Sequence, residues 1–147
     1  MKITDALRGE HGVLHRLLDY TAEHHRCWSL SEVRQAGAWL EQAVASHAAV
    51  EDELLFEALA ATAAMPSGPL VVMRAEHAEI EGGFERLRSL PDLEAARALL
   101  ARTVEIAQQH FAKEERVLFP LAEQVVAAAE LEQLGALWAE RRAVVTA

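Results

Sequence analysis

Apolar residues recur every three or four positions in four long stretches of this chain, the spacing that lays a continuous stripe along an α-helix. Leu7, His11, Leu14 and Leu18 mark the first stretch, which Thr4 and Asp5 open and which is predicted to run to about His25. The segment CWSLS, Cys27 to Ser31, breaks the pattern and offers two serine N-caps to a second helix. That helix carries Leu40, Val44, His47, Glu51 and Leu54 on its inner side and is predicted to fade near Ala60. After the loop-forming cluster MPSGP, Met65 to Pro69, the stripe resumes at Leu70, Met73, His77, Ile80, Phe84 and Leu87 and is expected to end near Leu90. Pro91 and Asp92 open a fourth helix with Ala107, His110, Glu114, Val117 and Leu121 inside, and Pro120 is expected to kink it or end it locally. A shorter segment, ELEQLGALWAERR, is predicted to cap the end of the bundle. Short loops between four amphipathic helices make the expected fold all-α, an antiparallel up-down-up-down four-helix bundle with a short C-terminal extra helix.

Every one of these stripes is interrupted by polar residues, and the interruptions repeat. HAAVEDELLF, from His47 to Phe56, aligns without a gap on HFAKEERVLF, from His110 to Phe119, an offset of 63 residues (47 to 110). GEHGVLH at Gly9 likewise matches AEHAEIE at Ala75, an offset of 66 (9 to 75). Each half of the chain therefore reads as a helix hairpin with one His on its first helix and His-x-x-x-Glu on its second. Residues four apart on a helix project about 40° apart and one turn along, so His47 with Glu51, and His110 with Glu114, present two donors side by side. Counting at 1.5 Å per residue places His11 and His47 at comparable depth, about 25 to 28 Å from the turn between them, and His77 about one helical turn nearer its turn than His110.

Charge and composition narrow what such a cluster serves. The chain of 147 residues suits a single domain spanning 1–147, and 23 acidic against 14 Lys and Arg residues give a net charge of −9. That charge repels nucleic acid and anionic membranes, so neither is an expected partner. Without a secretory leader pattern or an apolar run of about 20 residues, a cytoplasmic location is expected. Cys27 is the only cysteine, which excludes an internal disulfide and cysteine-built metal sites.

Of seven histidines, His47, His77 and His110 are each followed four residues later by Glu, about three times the number expected by chance. Helix-stabilising surface pairs are the ordinary origin of that spacing. Here the pairs fall in the inward stripe, where a buried carboxylate without a partner is costly and a metal ion makes it tolerable. Imidazole and carboxylate donors together suit iron, manganese or zinc, and six or seven protein ligands are too many for one ion that keeps an open position. The candidate ligands are His11, His47, Glu51, His77, Glu81, His110 and Glu114, with two cations expected and Glu51 and Glu114 as bridges. His15 is a further candidate, and Glu115 an alternative bridge that points about 140° away from His110. His24 and His25 belong to the end of the first helix, where an imidazolium suits the dipole.

The EH pairs at His11 and His77, the H-x-x-x-E of His47 and Glu51, and the run H-x-x-x-E-E-x-x-L-F-P from His110 to Pro120 resemble the hemerythrin-like, or HHE cation-binding, family. The resemblance covers the chain to about Val126. It implies a four-helix bundle around a non-haem di-iron centre with an oxo or hydroxo bridge, in which His11, His47, His77 and His110 are terminal ligands and Glu51 and Glu114 bridge. Oxygen carriers of that family place a histidine where this chain has Glu81 and a bridging Asp where it has Glu115, so an oxygen-carrier ligand set is not reproduced. The resemblance is instead to bacterial variants that sense or react with dioxygen, peroxide or nitric oxide, with a small diatomic molecule or peroxide as the expected ligand and catalase-like turnover if the ligand is peroxide. Two other functions stand as alternatives. A ferritin-like oxidase or iron store uses Glu-x-x-His, the reverse order. A regulatory helical module would use metal for stability or sensing without turnover.

Overall fold

The computed structural model describes residues 1–144, with Ser67 described by its backbone alone. Helix α1 (Ile3–His24) ends in a single 3₁₀ turn, His25–Cys27. Helix α2 (residues 30–61) starts at Leu30 behind a capping box in which Ser29 Oγ accepts the Glu32 backbone N–H while Glu32 returns a bond to Ser29 N–H. Helix α3 is Ser67–Leu87 and begins inside the MPSGP cluster. Helix α4 (residues 93–125) is capped by Asp92, whose Oδ2 accepts Ala95 N–H at 2.7 Å. Helix α5 (Ala128–Arg141) closes the described chain. The predicted all-α bundle is therefore the fold, and each predicted helix starts within about three residues of its expected position.

Each of the four long helices packs on its two neighbours in chain order, α4 closing the ring onto α1, and α5 lies across α1 and one turn of α2. The contact at α5 is close. A Cβ on Gly135 would sit 2.2 Å from the Met1 carbonyl oxygen, so only glycine lets this helix lie on the N-terminal backbone. Among the described residues, no helix is long and apolar enough to cross a membrane.

Two helices contain a π turn. In α2 it spans Glu51–Phe56 and in α4 Glu114–Leu118, the same place in the two halves of the repeat. A π turn holds one residue more than an α turn, and the extra residue rotates everything after it. This accounts for the two departures from the predicted stripe, Val117 and the only half-buried Leu121. Val117, expected inside, is 61 % exposed, while Leu118, Phe119 and Ala122 are buried. Pro120, expected to kink or end α4, is passed without a break. The π turn just before it already rearranges the hydrogen-bond ladder where the missing proline N–H would be felt.

The core is split in two. Ile3, Leu7, Leu54, Leu55, Phe56, Phe119 and Leu131 belong to one apolar cluster, and Leu14, Leu18, Val44, Ile80, Phe84, Val104 and Phe111 to the other. Along every long helix the residues that separate the two clusters are the polar ones: His11 on α1, His47 and Glu51 on α2, His77 on α3, His110 and Glu114 on α4. A polar layer thus crosses the middle of an otherwise apolar interior.

Candidate metal centre

The four histidines of that layer are buried, His11 and His110 completely. Each turns Nε2 toward the bundle axis and Nδ1 toward a carboxylate at the rim. His47 Nδ1 lies 2.6 Å from Glu10 Oε2, His110 Nδ1 2.8 Å from Glu76 Oε2, His11 Nδ1 3.0 Å from Glu115 Oε1, and His77 Nδ1 3.4 Å from Asp52 Oδ2. A carboxylate only accepts, so these partners place the ring proton on Nδ1 and leave the inward Nε2 with its lone pair. The wiring follows the repeat. The acid just before the first-helix histidine, Glu10 or Glu76, holds the second-helix histidine of its own hairpin. The acid just after the central glutamate, Asp52 or Glu115, holds the first-helix histidine of the other hairpin.

Between the four Nε2 atoms stand Glu51 and Glu114, both fully buried. Glu114 Oε1 is 2.8 Å from His110 Nε2 and 3.7 Å from His77 Nε2, and its Oε2 is 3.2 Å from His11 Nε2. Glu51 Oε2 is 3.5 Å from His77 Nε2 and 3.7 Å from His47 Nε2. Among the described residues, none of the four carboxylate oxygens has a hydrogen-bond partner, nor do His77 Nε2 and His110 Nε2; the short His110–Glu114 approach lacks hydrogen-bond alignment. Such orphans are rare in folded proteins and costly.

The donors fall into two groups whose ligating atoms lie within 4.8 Å of one another: Glu51, His77, His110 and Glu114, and His11, His47 and Glu114. His11 Nε2 and His47 Nε2 are 3.0 Å apart. Two lone pairs at that distance repel, yet two nitrogens each bound at about 2.1 Å to one ion, at right angles, lie about 3.0 Å apart. The residues present therefore fit metal cations, with Glu114 common to both groups.

Protons partly take the place of the cations in the electrostatics of the centre. Burial, reinforced by the negative Glu114 nearby, pushes the Glu51 carboxyl well above its usual range. For Glu114 burial acts in the same direction, but His11, His110 and His77 outweigh it and hold the group well below. Burial would lower His77, and the facing carboxylates of Glu114 and Glu51 instead raise it to about 10. Burial lowers His47 despite its bond to Glu10. Glu10, which burial would raise, is brought down to about 2 by hydrogen bonds from His47, Arg142 and Trp138.

The hemerythrin HHE cation-binding domain, as a family model, matches residues 2–122 and, in a second alignment, 68–147. The chain belongs to that family. Restarting the HHE domain near the second hairpin is what a chain built from two similar halves does. No curated protein and no solved structure gives a significant match.

Within the HHE frame, six of the seven sequence-predicted ligands, His11, His47, Glu51, His77, His110 and Glu114, meet in the polar layer. His77 and His110 share a group although counting along the chain set them about one turn apart. Glu81, the seventh, is half-buried and belongs to neither group. One turn beyond His77 on α3, it lies toward the second apolar cluster, away from the π turns that carry the central acids. His15 is also half-buried and outside both groups, with Nε2 3.8 Å from Glu115. Glu115 faces His11 Nδ1, as an outer partner of a ligand. His24 and His25 bond α1 carbonyls, Tyr20 O at 2.8 Å and Ala22 O at 2.9 Å, and close the end of that helix. Glu10, Asp52 and Glu76 went unnoticed in the sequence, where the available signal was their position next to His11, Glu51 and His77.

Proposed function

We propose that the chain holds two iron ions in this layer, spanned by Glu51 and Glu114, and that it binds or reacts with a small oxidant such as dioxygen, peroxide or nitric oxide in sensing or stress defence. One observation carries the reading: imidazole nitrogens from four helices converge on two buried carboxylates that no group among the described residues satisfies. A mixed nitrogen and oxygen donor set suits iron among the first-row metals, and the HHE resemblance favours it over manganese and zinc. Bound there, iron would supply the one- and two-electron redox chemistry that no side chain of the layer offers.

The chain's own residues supply geometry and exclusion. The rim carboxylates fix each imidazole in the tautomer that keeps Nε2 free to bind a cation. Phe111 stacks on His11 with ring centres 4.4 Å apart, and Phe56 lies parallel to His77 at 5.6 Å. With Leu54, Leu55 and Phe119 they keep bulk water out and favour small uncharged molecules. The test is iron content and Mössbauer spectroscopy of protein from iron-supplied cells. Two irons per chain are expected, with His110→Ala losing at least one and His24→Ala, an exposed helix-end histidine, losing none. Equal iron in the two variants overturns the ligand assignment. Oxygen evolution from peroxide above the free-iron background identifies catalase-like turnover.

A further inference from the structure

Glu10 ties the metal layer to the last helix. Its Oε2 takes the His47 Nδ1–H at 2.6 Å, while its Oε1 accepts Trp138 Nε1–H at 2.8 Å, from the last turn of α5, and Arg142 Nε–H at 2.7 Å, from the residue that caps it. Arg142 also donates to Ser46 Oγ at 2.7 Å and to the Ser46 carbonyl at 2.9 Å, the residue directly before His47. The corresponding acid of the other hairpin is held differently. Glu76, the partner of His110, is paired with Lys113, which stands on the same helix as His110 and is half exposed. The repeat is therefore unequal at its rim. One histidine is steadied by its own hairpin, the other by a separate helix that is seated on the N-terminal backbone at Gly135 and touches the α2 π turn.

We propose that α5 is a positioning element for one of the two cation positions. Through Trp138 and Arg142 it fixes Glu10, and through Glu10 it fixes the His47 imidazole. Docking of α5 and occupancy of the His11–His47–Glu114 position then favour each other, while the His77–His110 position, which shares Glu114 but has no ring held through Glu10, depends less on α5. Four hydrogen bonds, one from His47, one from Trp138 and two from Arg142, leave the Glu10 carboxylate little freedom, and loss of such an outer carboxylate's support typically weakens metal binding about 10- to 100-fold. The coupling is reciprocal by linkage, so a cation at that position must also steady α5. The inference rests on the two-cation reading proposed above.

The test titrates Co²⁺ into the metal-free 147-residue chain and counts filled positions by visible ligand-field absorption. In Arg142→Ala one of two positions is expected to weaken about 10- to 100-fold and the other by a much smaller factor. Trp138→Phe, which keeps the packing and removes one N–H, should weaken the same position by a smaller factor, and Lys113→Ala should leave it unaltered. Hydrogen exchange supplies a second readout: amides of α5 should slow when Co²⁺ binds the unaltered chain and slow less in Arg142→Ala. Equal weakening of both positions, no weakening in either α5 variant, or α5 exchange indifferent to the cation overturns the inference while leaving the two-cation reading intact. An unaltered chain that binds fewer than two Co²⁺ ions overturns that reading, and the inference falls with it.

Discussion

Replacing Glu51 and Glu114 by Gln, one at a time and in the presence of a chelator, tests the distribution of charge in the metal-free layer. Glu51 is fully buried, its nearest imidazole nitrogens are 3.5 and 3.7 Å away, and its carboxyl is pushed well above the usual range. Without a cation it is a neutral acid, which Gln copies in size and shape, so the expected cost is below about 1 kcal/mol. Glu114 has imidazole nitrogens at 2.8, 3.2 and 3.7 Å and stays ionised as the counter-charge of the raised His77. Its amide leaves that positive charge buried and uncompensated, a loss of about 3–5 kcal/mol. For a chain of this size that is a fall in Tm on the order of 10 °C. Thermal and urea unfolding with chelator measure both. Excess metal should then separate all three proteins: the unaltered chain gains about 2.7 kcal/mol at a hundredfold excess over Kd, and each variant forfeits much of that gain. A metal-free Glu51→Gln protein destabilised as much as Glu114→Gln would refute the assignment of the proton to Glu51.

The raised pKa of His77, about 10 against an ordinary 6.5, carries a pH dependence. Its contribution to metal-free stability is complete below about pH 6.5 and disappears as the pH rises through about 10, a loss of a few kcal/mol in all. Urea midpoints with chelator should fall over that window, and saturating metal, which replaces the proton, should flatten the slope; a midpoint that rises with pH contradicts the charge placement. Two glycines should respond oppositely to Ala in thermal melts. A Cβ at Gly12 meets nothing within 4 Å, so Gly12→Ala gains about 0.5–1 kcal/mol. At Gly83 it would lie 2.4 Å from Thr103 Oγ1, so Gly83→Ala costs about 1–3 kcal/mol.

The ligand histidines and central acids were legible in the sequence because they stand in the helical stripe itself. His47 with Glu51 and His110 with Glu114 interrupt an apolar face at a helical spacing, and the repeat shows the interruption twice. Glu10, Asp52 and Glu76 were not legible as partners. Each sits one residue from a stripe position, about 100° around its helix. From there it reaches a histidine on another helix, and pairing between helices has no period within one of them. Glu115 drew attention as an alternative bridge for the same reason, its true partner His11 being 104 residues away. The π turns left no mark either, since no Gly or Pro lies within 51–56 or 114–118, and their insertion turned Val117 outward against the predicted stripe. Helix ends were readable wherever a cap was spelled out, as at Ser29 and Asp92.

Each group of donors takes an acid from the opposite hairpin: Glu114 completes the pair His11 and His47, and Glu51 joins His77 and His110. A polypeptide of half this length would lack that acid at its own histidines. Two such polypeptides related by a twofold axis would lend it to each other and obtain both sites together, but identical ones. Joining the halves in tandem removes that equality, so one site can evolve a new outer support without imposing it on its twin.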